Sequence, residues 1–200
     1  MSGILVYEGM KSDTVENSSM NIPNLLTLLR IILVPVIVIL LIQGLFLKAL
    51  IAFIVAALSD VLDGFLARIL HQQTALGAYL DPIADKALLA SSFVTLSVLH
   101  VIPGWLTVIV ISRDVIILLG ISVLSIMSIP VKIRPTFVSK ITTALQLATV
   151  LMVLSDRSIP GSFNEIWYTV LFWLTAFFTV ISGLNYMMRG QKLINQDIKK

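Results

Sequence analysis

The stretch SDVLDGFLARILHQQTALGAYLDPIADK, which runs from Ser59 to Lys86, places four aspartates in apolar surroundings. Asp60 and Asp63 are three residues apart. Asp81 and Asp85 are four apart, so each pair lies on one face if the segment is helical. A carboxylate at a bilayer centre costs roughly 2.5–3.5 kcal/mol even on the lenient insertion scale. The four aspartates therefore require compensating positive charge.

The side chains near the aspartates supply too little of that charge. Arg68 and Lys86 offer two cations against four carboxylates, and His71 is expected in the connecting loop. Carboxylates alone suit hard divalent ions such as Mg²⁺ or Mn²⁺. Two such ions about 3.5–4 Å apart form a clamp for in-line phosphoryl displacement. We therefore predict a site for two divalent cations.

Small and basic residues between the aspartates extend this interpretation. Gly64 and Gly77 remove side-chain bulk where a phosphate or nucleotide must approach the backbone, and Ala67 keeps the next turn small. Arg68 offers planar donors to a diphosphate. Three aspartates suffice to bind the metals, and the fourth can accept a proton from an attacking hydroxyl. Spacing alone leaves open which one does so.

Four carboxylates in a membrane are also compatible with two other functions. One is a cation transporter, which would use them for ion translocation. The other is a non-catalytic membrane scaffold. Neither explains why Gly64, Ala67, Arg68 and Gly77 accompany the aspartates, so phosphoryl chemistry is favoured.

The composition of the whole chain indicates a membrane protein. Of 200 residues, 58% are hydrophobic and 12% are charged, and the mean hydropathy is +0.99. A soluble domain carries about 25% charged residues. The absence of cysteine excludes disulfides and thiolate metal sites. The net charge of +3 is modest, and no nucleic-acid partner is expected.

Six segments are long and apolar enough to span a bilayer, which takes about 20 residues. We predict an all-α integral membrane protein with six transmembrane helices and a short amphipathic segment leading into the first. Residues 1–20 are predicted as a polar extension, 21–190 as the membrane domain and 191–200 as a basic tail. The predicted spans are Leu25–Leu45, Leu47–Leu70, Leu80–Val101, Trp105–Ser128, Val138–Leu154 and Ile166–Met188.

The distribution of basic residues predicts the orientation. Six spans put both termini on one side, together with the loops after the second and fourth spans. Only Lys48 and Arg157 fall on the other side. Positive charge collects on the cytoplasmic side of membrane proteins, so the termini and the aspartates are predicted to face the cytoplasm. The basic residues on that side are Lys11, Arg68, Lys86, Lys132, Arg134, Lys140, Arg189, Lys192, Lys199 and Lys200.

Several polar residues outside this stretch have two interpretations each. Asn24 and Thr27 either cap the first helix or contribute to the site. Arg30 either extends to the headgroups or points towards the aspartates. Arg113-Asp114, inside the fourth span, is a functional ion pair or a structural link between helices. Lys140, at a helix start, either lies in a solvated loop or binds an anion.

The aspartate pattern resembles the signature of the CDP-alcohol phosphotransferase family. From Asp60 to Asp85 the order is Asp, two residues, Asp-Gly, two residues, Ala-Arg, eight residues, Gly, three residues, Asp, three residues, Asp. Eight fixed residues in 26 positions match at the family's spacing, and the likeness extends over residues 21–188. It implies six transmembrane helices, a homodimer, and an active site facing the cytoplasm in a bacterial cell membrane or its equivalent.

The resemblance also implies a reaction in which CDP-diacylglycerol donates its phosphatidyl group to an alcohol and CMP leaves. Asp60, Asp63 and Asp81 would bind the two metal ions. Asp85 would be both a ligand and the general base. The residues that the resemblance implies in the CDP site are Gly64, Ala67, Arg68 and Gly77. Asn24 and Thr27, near the start of the first helix, are further candidates for that site.

Three further segments bear on the acceptor alcohol. Asn21–Pro35 resembles the opening of both the phosphatidylglycerophosphate synthases and the cardiolipin synthases of this fold. The segments 112–115 and 134–140 are more similar to the cardiolipin synthases of mitochondrial type. Phosphatidylglycerol is therefore the favoured acceptor and glycerol 3-phosphate the alternative. The candidate acceptor-binding residues are Arg113, Arg134 and Lys140.

Overall fold

The computed structural model of the chain describes residues 22–69, 75–126, 137–159, 161 and 163–197. Within these ranges the regular structure is helical throughout, which confirms the predicted all-α class. The six helices are α1 (Ile22–Ile42), α2 (Phe46–Ile69), α3 (Ala75–Val98), α4 (Gly104–Ile126), α5 (Phe137–Ser158) and α6 (Glu165–Asp197).

Each helix overlaps one of the six predicted spans, although two boundaries differ clearly. α3 begins at Ala75, five residues before the predicted Leu80, because Gly77 and Asp81 lower the hydropathy without stopping the helix. α6 continues to Asp197 and so includes residues 191–197 of the predicted tail. The polar residues there include good helix formers such as Gln and Lys, which end an apolar stretch but not a helix.

The helices pack in two groups of three. α1 packs against α2 and α3, and α6 packs against α4 and α5. Contacts of α2 with α5, and of α3 with both α4 and α5, join the groups. The two helices that carry the aspartates therefore share α1 and α5 as neighbours. The shared core includes the fully buried side chains of Phe53, Phe93, Leu106 and Leu154.

The turn after α1 uses a glycine in the left-handed region. Gly44 has φ +72°, and its N–H donates to the carbonyl of Leu41 at 3.0 Å. The N–H of Leu45 donates to the carbonyl of Leu40 at 2.9 Å. These two bonds form the Schellman motif, which satisfies carbonyls that the end of a helix leaves unpaired.

The turn after α3 repeats this motif with histidine in place of glycine. His100 has φ +56°, and its N–H donates to the carbonyl of Ser97 at 3.0 Å. The N–H of Val101 donates to the carbonyl of Leu96 at 2.9 Å. A left-handed backbone costs a residue with a Cβ roughly 1–2 kcal/mol, so this turn is strained where the first is not.

The outer surface of the bundle is largely apolar. Large side chains such as Val98, Phe137 and Trp173 are well exposed. Among the described residues, Phe137–Ser158 and Glu165–Gln191 are long and apolar enough to cross a membrane, with mean hydropathies of 1.7 and 1.6. The apolar stretches Leu28–Ile42, Phe46–Ser59 and Lys86–Val98 are shorter. A surface of this kind suits lipid rather than water.

Candidate active site

The aspartates and their companions lie in two continuous helices. Asp60 and Asp63 are in the second half of α2, followed there by Gly64, Ala67 and Arg68. Gly77, Asp81 and Asp85 are in the first half of α3. Each aspartate pair therefore has the helical spacing that the sequence predicts. The side chains of these eight residues lie outside the described part of the structure, so their metal-binding and CDP-binding roles stay predictions.

Two other predicted site residues are placed only by their backbone, and one not at all. Asn24 and Thr27 lie in the first two turns of α1, which packs against both aspartate helices. Arg134 lies outside the described residues. Among the residues whose side chains the structure describes, no three His, Cys, Asp or Glu come together as a metal site.

Arg30 on α1 is the first residue whose side chain clarifies the site. It is fully buried, on a helix that contacts both α2 and α3. Arg30 on α1 and the buried Ser59 on α2 are separated from Gly44, in the turn between these helices, by nearly the same number of residues. They therefore lie at a similar height in the bundle, and Asp60 directly follows Ser59. The extension of Arg30 to the headgroups is therefore wrong, and its charge lies inside the bundle near the level of the first aspartate.

Arg113 on α4 is the centre of a buried polar network. Its side chain is 4% exposed, and one terminal nitrogen donates to Oδ1 of Asp114 at 2.6 Å. The other donates to Oγ of Ser139 at 2.6 Å and to Oγ of Ser182 at 2.9 Å. The ring of Tyr186 lies 5.8 Å from the guanidinium carbon, within cation–π range. Arg113 thus joins α4 to α5 and α6.

Lys86 on α3 extends the same network to the aspartate helix. Its Nζ lies 2.6 Å from Oδ1 of Asp114, the oxygen that also accepts from Arg113. The Asp114 side chain is 12% exposed and that of Lys86 is 35% exposed. Lys86 directly follows Asp85 in the sequence. The network therefore connects the helix of the predicted general base to α4, α5 and α6.

This geometry confirms the structural interpretation of the Arg113-Asp114 pair, because the pair links α4 to α3, α5 and α6. Its functional interpretation stays a prediction. Sequence analysis did not identify Lys86 as the partner of Asp114. The two are 28 residues apart on different helices, so no local spacing signals the contact.

Lys140 lies in the first turn of α5, directly after Ser139. Its side chain is exposed, unlike that of Arg113. A cation next to the buried network and open to the surroundings can receive an anion without displacing a protein partner. The structure therefore brings the backbones of two candidate acceptor-binding regions, at Arg113 and at Ser139-Lys140, into one neighbourhood.

A second set of buried polar side chains follows the contact between α5 and α6. Oγ1 of Thr142 donates to the carbonyl of Phe178 at 3.0 Å, and the hydroxyls of Thr149 and Thr175 are 2.9 Å apart. Gln146 is fully buried between these threonines along α5, and within the described structure neither amide atom has a hydrogen-bond partner. We call Thr142, Gln146, Thr149, Thr175 and Thr179 the α5/α6 seam.

The sequence contains a signal for this seam. Thr142, Gln146 and Thr149 are spaced four and three residues apart, so a helix places them on one face. Small hydroxyl residues are typical of helix contacts within membranes, where they allow close approach and hydrogen bonding.

Comparison with known proteins adds a family and named relatives. The sequence model of the family described as CDP-alcohol phosphatidyltransferase matches residues 20–181. A human protein named cardiolipin synthase (CMP-forming) is 36% identical over 86% of this chain and 62% of its own length. The chain thus spans about three fifths of that relative.

Two bacterial relatives match over nearly their whole length, and both are named CDP-diacylglycerol–glycerol-3-phosphate 3-phosphatidyltransferase. The protein of Bacillus subtilis is 29% identical over 85% of this chain and 95% of its own length. The protein of Aquifex aeolicus is 32% identical over 88% of this chain and 98% of its own length. The matched relatives therefore carry two different names, one for the synthesis of cardiolipin and one for transfer to glycerol 3-phosphate.

Proposed function

This chain belongs to the CDP-alcohol phosphatidyltransferase family, and on that premise we propose that it transfers a phosphatidyl group from CDP-diacylglycerol to a glycerol-based alcohol. CMP is the other product. The observation that carries the proposal is the eight-residue aspartate pattern, present without interruption on α2 and α3 inside the region that the family matches.

The proposed chemistry assigns each motif residue a task. Asp85 accepts the proton of the acceptor hydroxyl, whose oxygen forms a bond to the phosphorus of the phosphatidyl group. The bond from that phosphorus to the bridging oxygen of the diphosphate breaks, and CMP leaves with the electron pair. Arg68 offers paired donors to the diphosphate. Gly64, Ala67 and Gly77 leave room for the nucleotide, and Asn24 and Thr27 complete its site.

The carboxylates fit divalent cations by their chemistry, since oxygen ligands suit Mg²⁺ or Mn²⁺. We assign two such ions to Asp60, Asp63, Asp81 and Asp85. When bound, they would neutralise the charge of the diphosphate. The buried guanidinium of Arg30 supports this arrangement, because it adds a fixed positive charge beside helices that carry four acids.

The favoured acceptor is phosphatidylglycerol, which would make the product cardiolipin. The human relative of that name supports this choice, as do the segments around Arg113 and Ser139. Glycerol 3-phosphate is the alternative, and a different observation favours it. Two bacterial relatives named for glycerol 3-phosphate are 29% and 32% identical to this chain.

Three basic residues are proposed to bind the phosphate of either acceptor. Lys140 is exposed at the start of α5, and Arg134 precedes that helix in sequence. Arg113 already donates to two serine hydroxyls, neither of which is charged. An acceptor phosphate would replace one hydroxyl with a charged partner, and charge-assisted hydrogen bonds are roughly twice as strong as neutral ones.

We further propose that all six helices span the membrane, with both termini and the aspartates on the cytoplasmic side. The apolar outer surface supports the first statement and the distribution of basic residues the second. The protein would act as a homodimer, as the family resemblance implies.

The test uses purified protein in liposomes with CDP-diacylglycerol and Mg²⁺. Phosphatidylglycerol and glycerol 3-phosphate are supplied in parallel, the lipid products are identified by mass spectrometry, and EDTA is the control. We expect metal-dependent cardiolipin. If phosphatidylglycerophosphate forms instead, the transfer reaction is confirmed but the acceptor is glycerol 3-phosphate rather than phosphatidylglycerol. Transfer to neither acceptor would contradict the proposed function.

A further inference from the structure

The ion pair between Lys86 and Asp114 bridges the two groups of helices. Lys86 belongs to the α1–α3 group, whereas Asp114 and Arg113 belong to the α4–α6 group. Both cations contact the same carboxylate oxygen at 2.6 Å. The carboxylate is 12% exposed, so water competes with these contacts far less than it would at an open surface.

Asp114 is also what keeps two cations close together. Both Lys86 and Arg113 approach one oxygen, so without the negative charge each would face a like charge in a poorly hydrated place. Arg113 is held by two serines and a tyrosine ring, and it is almost fully buried. Lys86 is the more exposed of the two cations, so it is the one expected to move away.

The contact of Lys86 with Asp114 holds α3 at the position next to Asp85. Asp85 and Lys86 are adjacent in α3, so the ion pair restrains the helix directly beside Asp85. From this geometry we propose that Asp114 is a positioning residue. It holds Lys86, and thereby the turn that carries Asp85, in register with the acceptor side of the bundle.

This inference rests on the proposed function, because it assigns Asp114 an effect on the reaction that Asp85 serves. A residue that only held the fold together would change the amount of active protein. It would leave the turnover of the active fraction and the metal response unchanged. The two roles therefore differ in measurable quantities.

The experiment compares Asp114→Asn, which removes the charge at constant size, with Asp114→Glu, which keeps the charge. Glu165→Gln is the control, since Glu165 is exposed at the opposite end of the bundle. For each protein kcat and the donor KM are measured with CDP-diacylglycerol at saturating Mg²⁺, per folded enzyme after size-exclusion chromatography. A second measurement is the increase in melting temperature caused by Mg²⁺.

For Asp114→Asn we expect kcat to fall on the order of 100-fold with little change in donor KM, as for other misplaced catalytic groups. The increase in melting temperature with Mg²⁺ should shrink as well. Asp114→Glu should restore most of kcat, and Glu165→Gln should match the wild type. Wild-type kcat in Asp114→Asn, or no recovery in Asp114→Glu, would overturn the proposal.

A double-mutant cycle of Lys86→Met with Asp114→Asn, read as melting temperature, tests the link without any assay of transfer. Coupled effects support it and additive effects overturn it. If the wild type transfers to no acceptor, the proposed function fails, and the cycle together with the Mg²⁺ response still decides whether Asp114 positions α3.

Discussion

At the scale of single residues, the turns at Gly44 and His100 share a left-handed backbone conformation, which glycine adopts readily and histidine does not. Both have positive φ and the same pair of hydrogen bonds. Replacing His100 with glycine should raise the free energy of unfolding by roughly 0.5–1 kcal/mol, after the greater chain entropy of glycine is allowed for. Thermal denaturation in detergent measures the change.

Gly44→Ala provides the reciprocal control for this prediction. A Cβ at Gly44 would meet no atom within 4 Å, so any loss of stability comes from the backbone alone. We expect Gly44→Ala to lower the melting temperature and His100→Ala to leave it nearly unchanged. Equal effects of alanine at both positions would show that the left-handed backbone is not the cause.

Asp85→Asn tests the general base. Asparagine keeps the size of the side chain but is far too weak a base, so turnover should fall about 100- to 10,000-fold. Binding of CDP-diacylglycerol should persist in part, because the other three aspartates of the proposed metal site remain. Asp156→Asn, in the last turns of α5, is the matched control and should keep normal turnover. Loss of donor binding together with turnover would mean that Asp85 acts mainly as a ligand.

Sequence analysis succeeded with residues whose partners are local and failed with those whose partners are distant. The helical spacing of the aspartates follows from positions three and four apart, and both pairs do lie in helices. Arg30 had two interpretations, and only the packing of α1 on its neighbours excluded one of them. The contact between Lys86 and Asp114 needed the arrangement of α3 and α4, which no spacing encodes.

At the scale of helices, the α5/α6 seam contains one side chain that its surroundings do not satisfy. A buried amide without hydrogen bonds costs about 1–3 kcal/mol. Gln146→Leu has a similar volume and no polar atoms, so we expect it to raise the melting temperature in detergent. Thr149→Val is the comparison, and it should lower the melting temperature because it removes the bond to Thr175. A less stable Gln146→Leu protein would show that the amide binds something in the membrane.

The helices themselves were predictable because apolar length and helix breakers both reside in the local sequence. The ends of the helices were less predictable than their existence. Hydropathy falls before α6 stops, since Arg189, Gln191 and Lys192 are polar yet favour helix. Hydropathy also rises only after α3 has begun, because Gly77 and Asp81 are part of the helix although neither is apolar.

At the scale of the whole molecule, the alternating direction of the helices makes a prediction about sidedness. The chain has no cysteine, so single cysteines report location without background. Gln43→Cys and Asn164→Cys lie in turns at one end, and Gln191→Cys lies near the end of α6. An impermeant maleimide should label the first two in intact cells and the third only after permeabilisation. Labelling of all three from one side would contradict six spans.

The overall arrangement was only partly foreseeable. Composition predicts a bundle in lipid, and the aspartate pattern predicts which helices carry the chemistry. The division into an α1–α3 group and an α4–α6 group depends on long-range packing, which composition and periodicity do not contain.

The sharing of Asp114 between two cations also bears on how the nascent chain enters the membrane. An arginine and an aspartate each cost roughly 2.5–3.5 kcal/mol at the centre of an inserting helix. Lys86 is synthesised before α4, so a counter-charge for Asp114 would already be in place when α4 enters as one of the proposed spans. The serine partners of Arg113 emerge only afterwards, with α5 and α6. During synthesis α4 would therefore enter with a counter-charge for Asp114 but without the serine partners of Arg113. The last hairpin, formed by α5 and α6, then supplies those serines.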